Sequence, residues 1–233
     1  MPSYVSHTIM AREVYNKLND KNVSLDYMIT FSLGGDLCKY AKCRKDSHRI
    51  KQDEFLYNMC DYMKEHNLTK DPECLGVLYG HICHYLMDKI IHPLVYKVTR
   101  ECTPNKNNHT LIELYYDNYL SKKKHNVTLN KHDNRVLFKA KMNNKVSKMI
   151  DNVYSKTYSC DHVSRYYKFN LSLYKKIKYA YSMFSINLLK NVTGYTKFNN
   201  KNKIETDTLD ELYDKSVNEA IKYIKEVNKC LNK

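Results

Sequence analysis

The chain has 233 residues, with 39 Lys and Arg against 25 Asp and Glu, a formal net charge of +14. With 42% hydrophobic and 27% charged residues it reads as globular rather than disordered, and it is long enough to bury a core without disulfides. Five Gly and four Pro are too few for the many tight turns of a β-sandwich or barrel, and no GxGxxG or GKS/T phosphate loop is present.

No apolar run approaches the ~20 residues that span a bilayer. The opening MPSYVSHTIMAREVY lacks a basic segment followed by an apolar one, so it does not read as a secretory signal. The expectation is a cytoplasmic protein whose eight Cys are reduced thiols; without a CxxC pair, a thiolate zinc ribbon is not expected. The basic excess reads first as solvated Lys faces, and charge alone does not establish an anionic membrane or a nucleic acid as partner.

In chain order the dominant period is helical. Ile9, Met10, Val14 and Leu18 mark a first helix over Ser6 to Leu18, with Ser6 as its N-cap. A short apolar segment from Leu25 to Leu33 stops at Gly34 and Gly35, and His48 to His66 is helical again. Asp71-Pro72-Glu73 is a strong start, predicting a helix from Pro72 to about Ile91, ahead of Pro93. Further helices are predicted over Thr110 to Leu120, Lys141 to Tyr154, His162 to Phe184 and Leu209 to Leu231. Polar stretches from Ser121 to Asn134 and from Asn191 to Thr206 read as loops, and no alternating strand pattern is found. The expectation is an all-α, single-domain bundle of roughly eight helices over residues 1–233. Its metal-site core spans about residues 1–120 and a second helical half about 121–233.

The chemistry concentrates in HICHYLMDKIIHP, residues 81–93. At ~100° per residue, His84, Asp88 and His92 fall within one ~80° stripe, one turn apart. Imidazole and carboxylate at that spacing converge on one ion, and burying the stripe beside Leu75, Leu78 and Ile82 without a cation is costly. His109 and Glu113 form another one-turn pair, which otherwise is a weak surface pair. Upstream stand Gly34-Gly35-Asp36, Ser47-His48-Arg49 and His7 on the first helix. His81 lies near the stripe and reads as a lining residue; His66, His125, His132 and His162 read as surface. Cys38 and Cys83 read as core.

This set, in this order, resembles the zinc-dependent phospholipase C family, related to single-strand-specific zinc nucleases. MPSYVSHTIMAREVYNKL is similar to the opening of its intracellular bacterial branch. FSLGGDL resembles its Gly-x-Asp turn, DSHR its next His, GHICHYLMDKIIHP its His-x3-Asp-x3-His-Pro helix, and HTLIE its His-x3-Glu pair. The likeness covers about residues 1–120. It implies a first Zn²⁺ on Asp36, His48, His84 and Asp88, and a second on His92, His109 and Glu113. A third shares Asp88 and adds His7. The related nucleases hold that third ion with the amine and carbonyl of the mature first residue and a His five positions on. Here that pairs Pro2, after removal of Met1, with His7. Secreted members carry two more residues between the Asp and His corresponding to Asp88 and His92, and an N-terminal Trp where this chain has no Trp.

The implied activity is phospholipase C-type hydrolysis of a phosphodiester at a site of two or three Zn²⁺, with Asp36 as proton acceptor. The substrate is then a phospholipid or another phosphodiester, with peripheral contact to an anionic membrane. Two alternatives remain open. One is a zinc nuclease or nucleotidase on the same scaffold, which needs an aromatic platform for a base. The other is a non-enzymatic, zinc-stabilised membrane-associated protein, in which every metal position is closed.

Overall fold

The computed structural model describes residues 4–102, 108–176 and 206–232. The described residues are all-α: α1 (Tyr4–Leu18), α2 (Leu25–Phe31), α3 (Asp46–Arg49), α4 (Gln52–Glu65), α5 (Pro72–Cys102), α6 (Asn108–His125), α7 (Asn134–Leu137), α8 (Asn144–Tyr158), α9 (Ser164–Lys176) and α10 (Thr206–Leu231). Short 3₁₀ turns occupy Gly34–Cys38, Lys42–Arg44 and Leu129–Lys131. Eight of the helices have seven residues or more, as the periodicity predicts, and no strand occurs among the described residues.

The axis of the bundle is α5, 31 residues and about 46 Å long at ~1.5 Å per residue. Its apolar stripe, including Val77, Leu78, Ile82, Leu86 and Ile91, is buried, and α2 and α10 pack along it with α1, α4 and α6. Backbone comes very close where α2 crosses: a Cβ on Gly80 would lie 2.7 Å from the Met28 carbonyl oxygen. Asp71 starts α5 as expected, its Oδ1 accepting from the amides of Glu73 (3.1 Å) and Cys74 (3.0 Å).

Several boundaries differ from expectation: the predicted 48–66 helix is interrupted at Lys51 (φ 56°), and α6 runs into the predicted 121–134 loop as far as His125. Two further differences have identifiable reasons. The helix predicted to stop near Ile91 runs through Pro93 to Cys102. A proline inside a helix costs roughly 3 kcal/mol. Burial of Leu94, Val95 and Val98 beyond it offsets that cost. Ser6 is not an N-cap but an internal residue of α1, and its amide and hydroxyl are held by a side chain from α6. The predicted 191–206 loop, the end of the predicted 162–184 helix, and Pro2 fall wholly or largely outside the described residues.

The second half supports the first. On α9, the Tyr167 hydroxyl donates to the Gly34 carbonyl (3.1 Å), and Asn170 Nδ2 donates to the Leu37 carbonyl (2.9 Å). These bonds clamp the 3₁₀ turn that carries Asp36. Among the described residues, no helix is long and apolar enough to cross a membrane.

Candidate metal centre

Three elements converge on α5. The first is α1. The opening amides of a helix have no intrahelical acceptor. Here the buried Asp117 of α6 serves from across the bundle: Oδ1 accepts from Ser6 N (2.7 Å) and Ser6 Oγ, and Oδ2 from Val5 N (3.3 Å). That anchor sets the neighbouring His7, 3% exposed, with Nε2 3.2 Å from Asp88 Oδ1. The other ring nitrogen, Nδ1, is buried without a hydrogen-bond partner.

The second element is the turn after α2. Gly34 has φ +45°, and a Cβ there would collide with the His84 ring, so the turn presses directly on that imidazole. His84 Nδ1 lies 3.1 Å from the Ser32 carbonyl. A carbonyl only accepts, so Nδ1 carries the proton. The other ring nitrogen, Nε2, then faces Asp88, 3.5 Å from its Oδ2. The third element, α6, presents Glu113. Its Oε1 lies 2.9 Å from His109 Nε2 and 3.3 Å from His92 Nε2.

The spacing of His84, Asp88 and His92 therefore gives one polar edge of α5. Asp88 lies within 3.8 Å of His7, His84 and His92, joining two clusters. In the first, ligand atoms of His7, Asp36 and His84 lie within 4.8 Å of one another; in the second, those of His92, His109 and Glu113 do. His7 thus stands beside Asp88, as expected, and also within reach of Asp36 and His84. His48 lies on α3, and its side chain is outside the described residues. His81 faces away from the clusters: Nδ1 donates to Val77 O (2.9 Å), and Nε2 pairs with Tyr167 Oη (3.0 Å). Cys38 and Cys83 are core residues, as expected.

The electrostatics follow the geometry. Burial works against the Asp88 carboxylate, but the imidazoles of His84, His7 and His92 outweigh it and hold the carboxyl far below its ordinary range. Glu113 is likewise held low against burial by His109 and His92. Burial lowers His92, yet Glu113 and Asp88 raise it on balance to about 9; His7 is raised in the same manner by Asp88. His81, buried without a carboxylate beside it, drops to about 4. The raised His92 holds its proton at neutral pH where a divalent cation would sit.

The donor set fits such a cation. Imidazole nitrogens with carboxylate oxygens suit Zn²⁺, the Ser32 carbonyl fixes one tautomer, and His7 Nδ1 is an orphaned buried atom. A cavity of about 30 Å³ is lined by His7, Asp88, His92 and Glu113 together with apolar Met87, Ile91 and Val95. On the outer side, a cleft of about 520 Å³ is lined by His84, Asp88 and His92 together with Tyr85, Lys89 and Tyr96.

Sequence reasoning missed Asp117, Lys89 and the two tyrosines. Asp117 stands one turn after Glu113, so its alignment with the site was readable; its partner on α1 was not. Compared with known proteins, the chain matches no family model, no curated protein and no solved structure.

Proposed function

We propose that this chain is a metal-dependent phosphodiesterase of the phospholipase C type, akin to the zinc-dependent phospholipase C family. The observation that carries the reading is the pair of His–carboxylate clusters, joined by Asp88 and opening on a cleft sized for a small organic substrate. His7, Asp36, His84 and Asp88 would hold zinc in the buried cluster, and His92, His109 and Glu113 in the outer one. Bound there, zinc supplies neutralisation of phosphate oxygens and acidification of water.

The chain's own groups do the rest. Asp36, on a turn clamped by α9, accepts the proton of the attacking water. His84 keeps its orientation through the Ser32 carbonyl. Lys89, exposed in the cleft one residue after Asp88, attracts a phosphate oxygen. Tyr85, with the Lys89 ammonium over its ring, and Tyr96, stacked on the His109 ring, line the cleft beside it. Aromatic rings in the cleft also favour a second reading, a nuclease or nucleotidase in which one of them stacks a base.

The test is a screen of zinc-loaded protein against choline, ethanolamine and inositol phosphodiesters, nucleotides, single-stranded DNA and an aryl phosphodiester. Zinc-dependent release of a phosphorylated head group from lipid supports the phospholipase reading. Cleavage confined to nucleotides supports the second, and inertness of a metal-replete protein toward every substrate overturns both.

A further inference from the structure

Away from the metal centre, the outward face of α9 has a composition the site does not use. The helix, SRYYKFNLSLYKK, contains no acid. Its inner face, at ~100° per residue, carries the buried Tyr167, Asn170 and Leu171. The opposite side carries Phe169, 53% exposed, and Leu173, 37% exposed, one turn apart. Tyr40, 54% exposed, stands beside them, its ring 5.8 Å from that of Phe169, with the Lys39 ammonium over the Tyr40 ring.

Next to this apolar shoulder, Lys168, Ser172 and Lys176 run along the crest of the helix. They border a cleft of about 360 Å³, also lined by Lys141 and Lys175. None of its lining residues is acidic. Lys175 Nζ donates to the Ala140 carbonyl (3.0 Å), which fixes one ammonium within the cleft. The segment from Leu37 to Lys45 adds Lys39, Lys42, Arg44 and Lys45 and no acid.

We infer that the outward face of α9, with Tyr40, is a docking surface for an anionic lipid bilayer. Phe169, Leu173 and Tyr40 enter the boundary between head groups and acyl chains, while the lysines meet the anionic phosphates. Exposed aromatic and aliphatic side chains one turn apart, bordered by lysines, are what an interfacial helix presents. Each lysine near an anionic leaflet adds attraction that salt screens. A bare polyanion would satisfy the lysines but leave Phe169 and Leu173 in water, which favours a bilayer. The surface lies on the reverse of the turn that carries Asp36, and it stands whether or not the metal cleft hydrolyses phosphodiesters.

The experiment is sedimentation of the full chain with vesicles of phosphatidylcholine alone and of phosphatidylcholine containing phosphatidylglycerol, at low and at physiological salt. Alongside it run Lys168→Glu with Lys176→Glu, and Phe169→Ser with Leu173→Ser. All four side chains are exposed, and unchanged thermal melting and metal content show that each variant keeps its fold. The expected result is at least roughly tenfold preference for the anionic vesicles, lost with the lysine reversals and cut several-fold by the apolar pair. Binding to neither vesicle, or undiminished binding by both variants, overturns the inference. So does equal capture of a single-stranded oligonucleotide that is insensitive to the apolar pair, or a dimer that the apolar pair dissociates while vesicle binding is absent. Failure of the hydrolysis screen leaves each of these outcomes readable.

Discussion

The two His–carboxylate clusters use the same chemistry in opposite settings. His7 and His84 are 3% and 4% exposed, whereas the side chains of His92 and His109 are 26% and 30% exposed. The inner cluster is held from all sides, by Asp117 behind α1, by Gly34 against the His84 ring and by the Ser32 carbonyl. The outer cluster rests mainly on Glu113, shared by two imidazoles, with Asp88 farther off at 3.8 Å from His92. On the proposed metal reading, the difference predicts that metal affinity and fold stability would be coupled at the inner cluster and largely separate at the outer one. Asp88, in reach of both, is the joint.

Breaking the joint has the largest expected effect. Asp88→Asn removes most bound metal and lowers stability by roughly 3 kcal/mol, read by elemental analysis and denaturant melting. Gly34→Ala comes next, because it adds a Cβ at positive φ against the His84 ring. It costs about 1–3 kcal/mol and weakens inner-cluster zinc roughly 10–100-fold, with the outer ion retained in a competition titration. Asp117→Ala withdraws the anchor of α1. It destabilises by about 1–2 kcal/mol and loosens the metal that depends on His7, without touching His109 and Glu113.

The pH response sharpens the same comparison in protein stripped of metal. The depressed Asp88 and Glu113 contribute stability that is present above their ordinary range near ~4 and lost as pH falls through the lower folded values. The raised His92 contributes stability that is fully present below ~6.5 and lost as pH rises through about 9. Stripped protein therefore melts lower at pH 9 than at pH 6.5, while zinc, which replaces those protons, stabilises increasingly over that interval. A stripped protein that melts higher at pH 9 contradicts the pairing. The smallest effect belongs to His109→Gln at the rim: loss of the outer ion, with stability within about 1 kcal/mol of wild type in the same melting assay.

Much of this was legible in the chain because helical periodicity is local. The Asp71 cap, the shared edge of His84, Asp88 and His92, and the pairing of His109 with Glu113 all follow from one-turn spacings. The continuation of α5 through Pro93 was not legible, because it depends on Leu94, Val95 and Val98 finding partners elsewhere in the bundle. The approach of His7 to Asp36 and His84 depends on how α1 is docked, and the docking group, Asp117, is more than a hundred residues away. The tautomer of His84 depends on the direction of the Ser32 carbonyl, which no side-chain pattern records.

The most direct test of the central claim is metal analysis of wild-type protein purified without chelator, beside Asp88→Asn. The account predicts about two or three equivalents of zinc per chain in wild type, lost for the most part in the variant together with a lower melting temperature. Absence of stoichiometric zinc in the wild type, with Asp88→Asn melting at the same temperature, would contradict it.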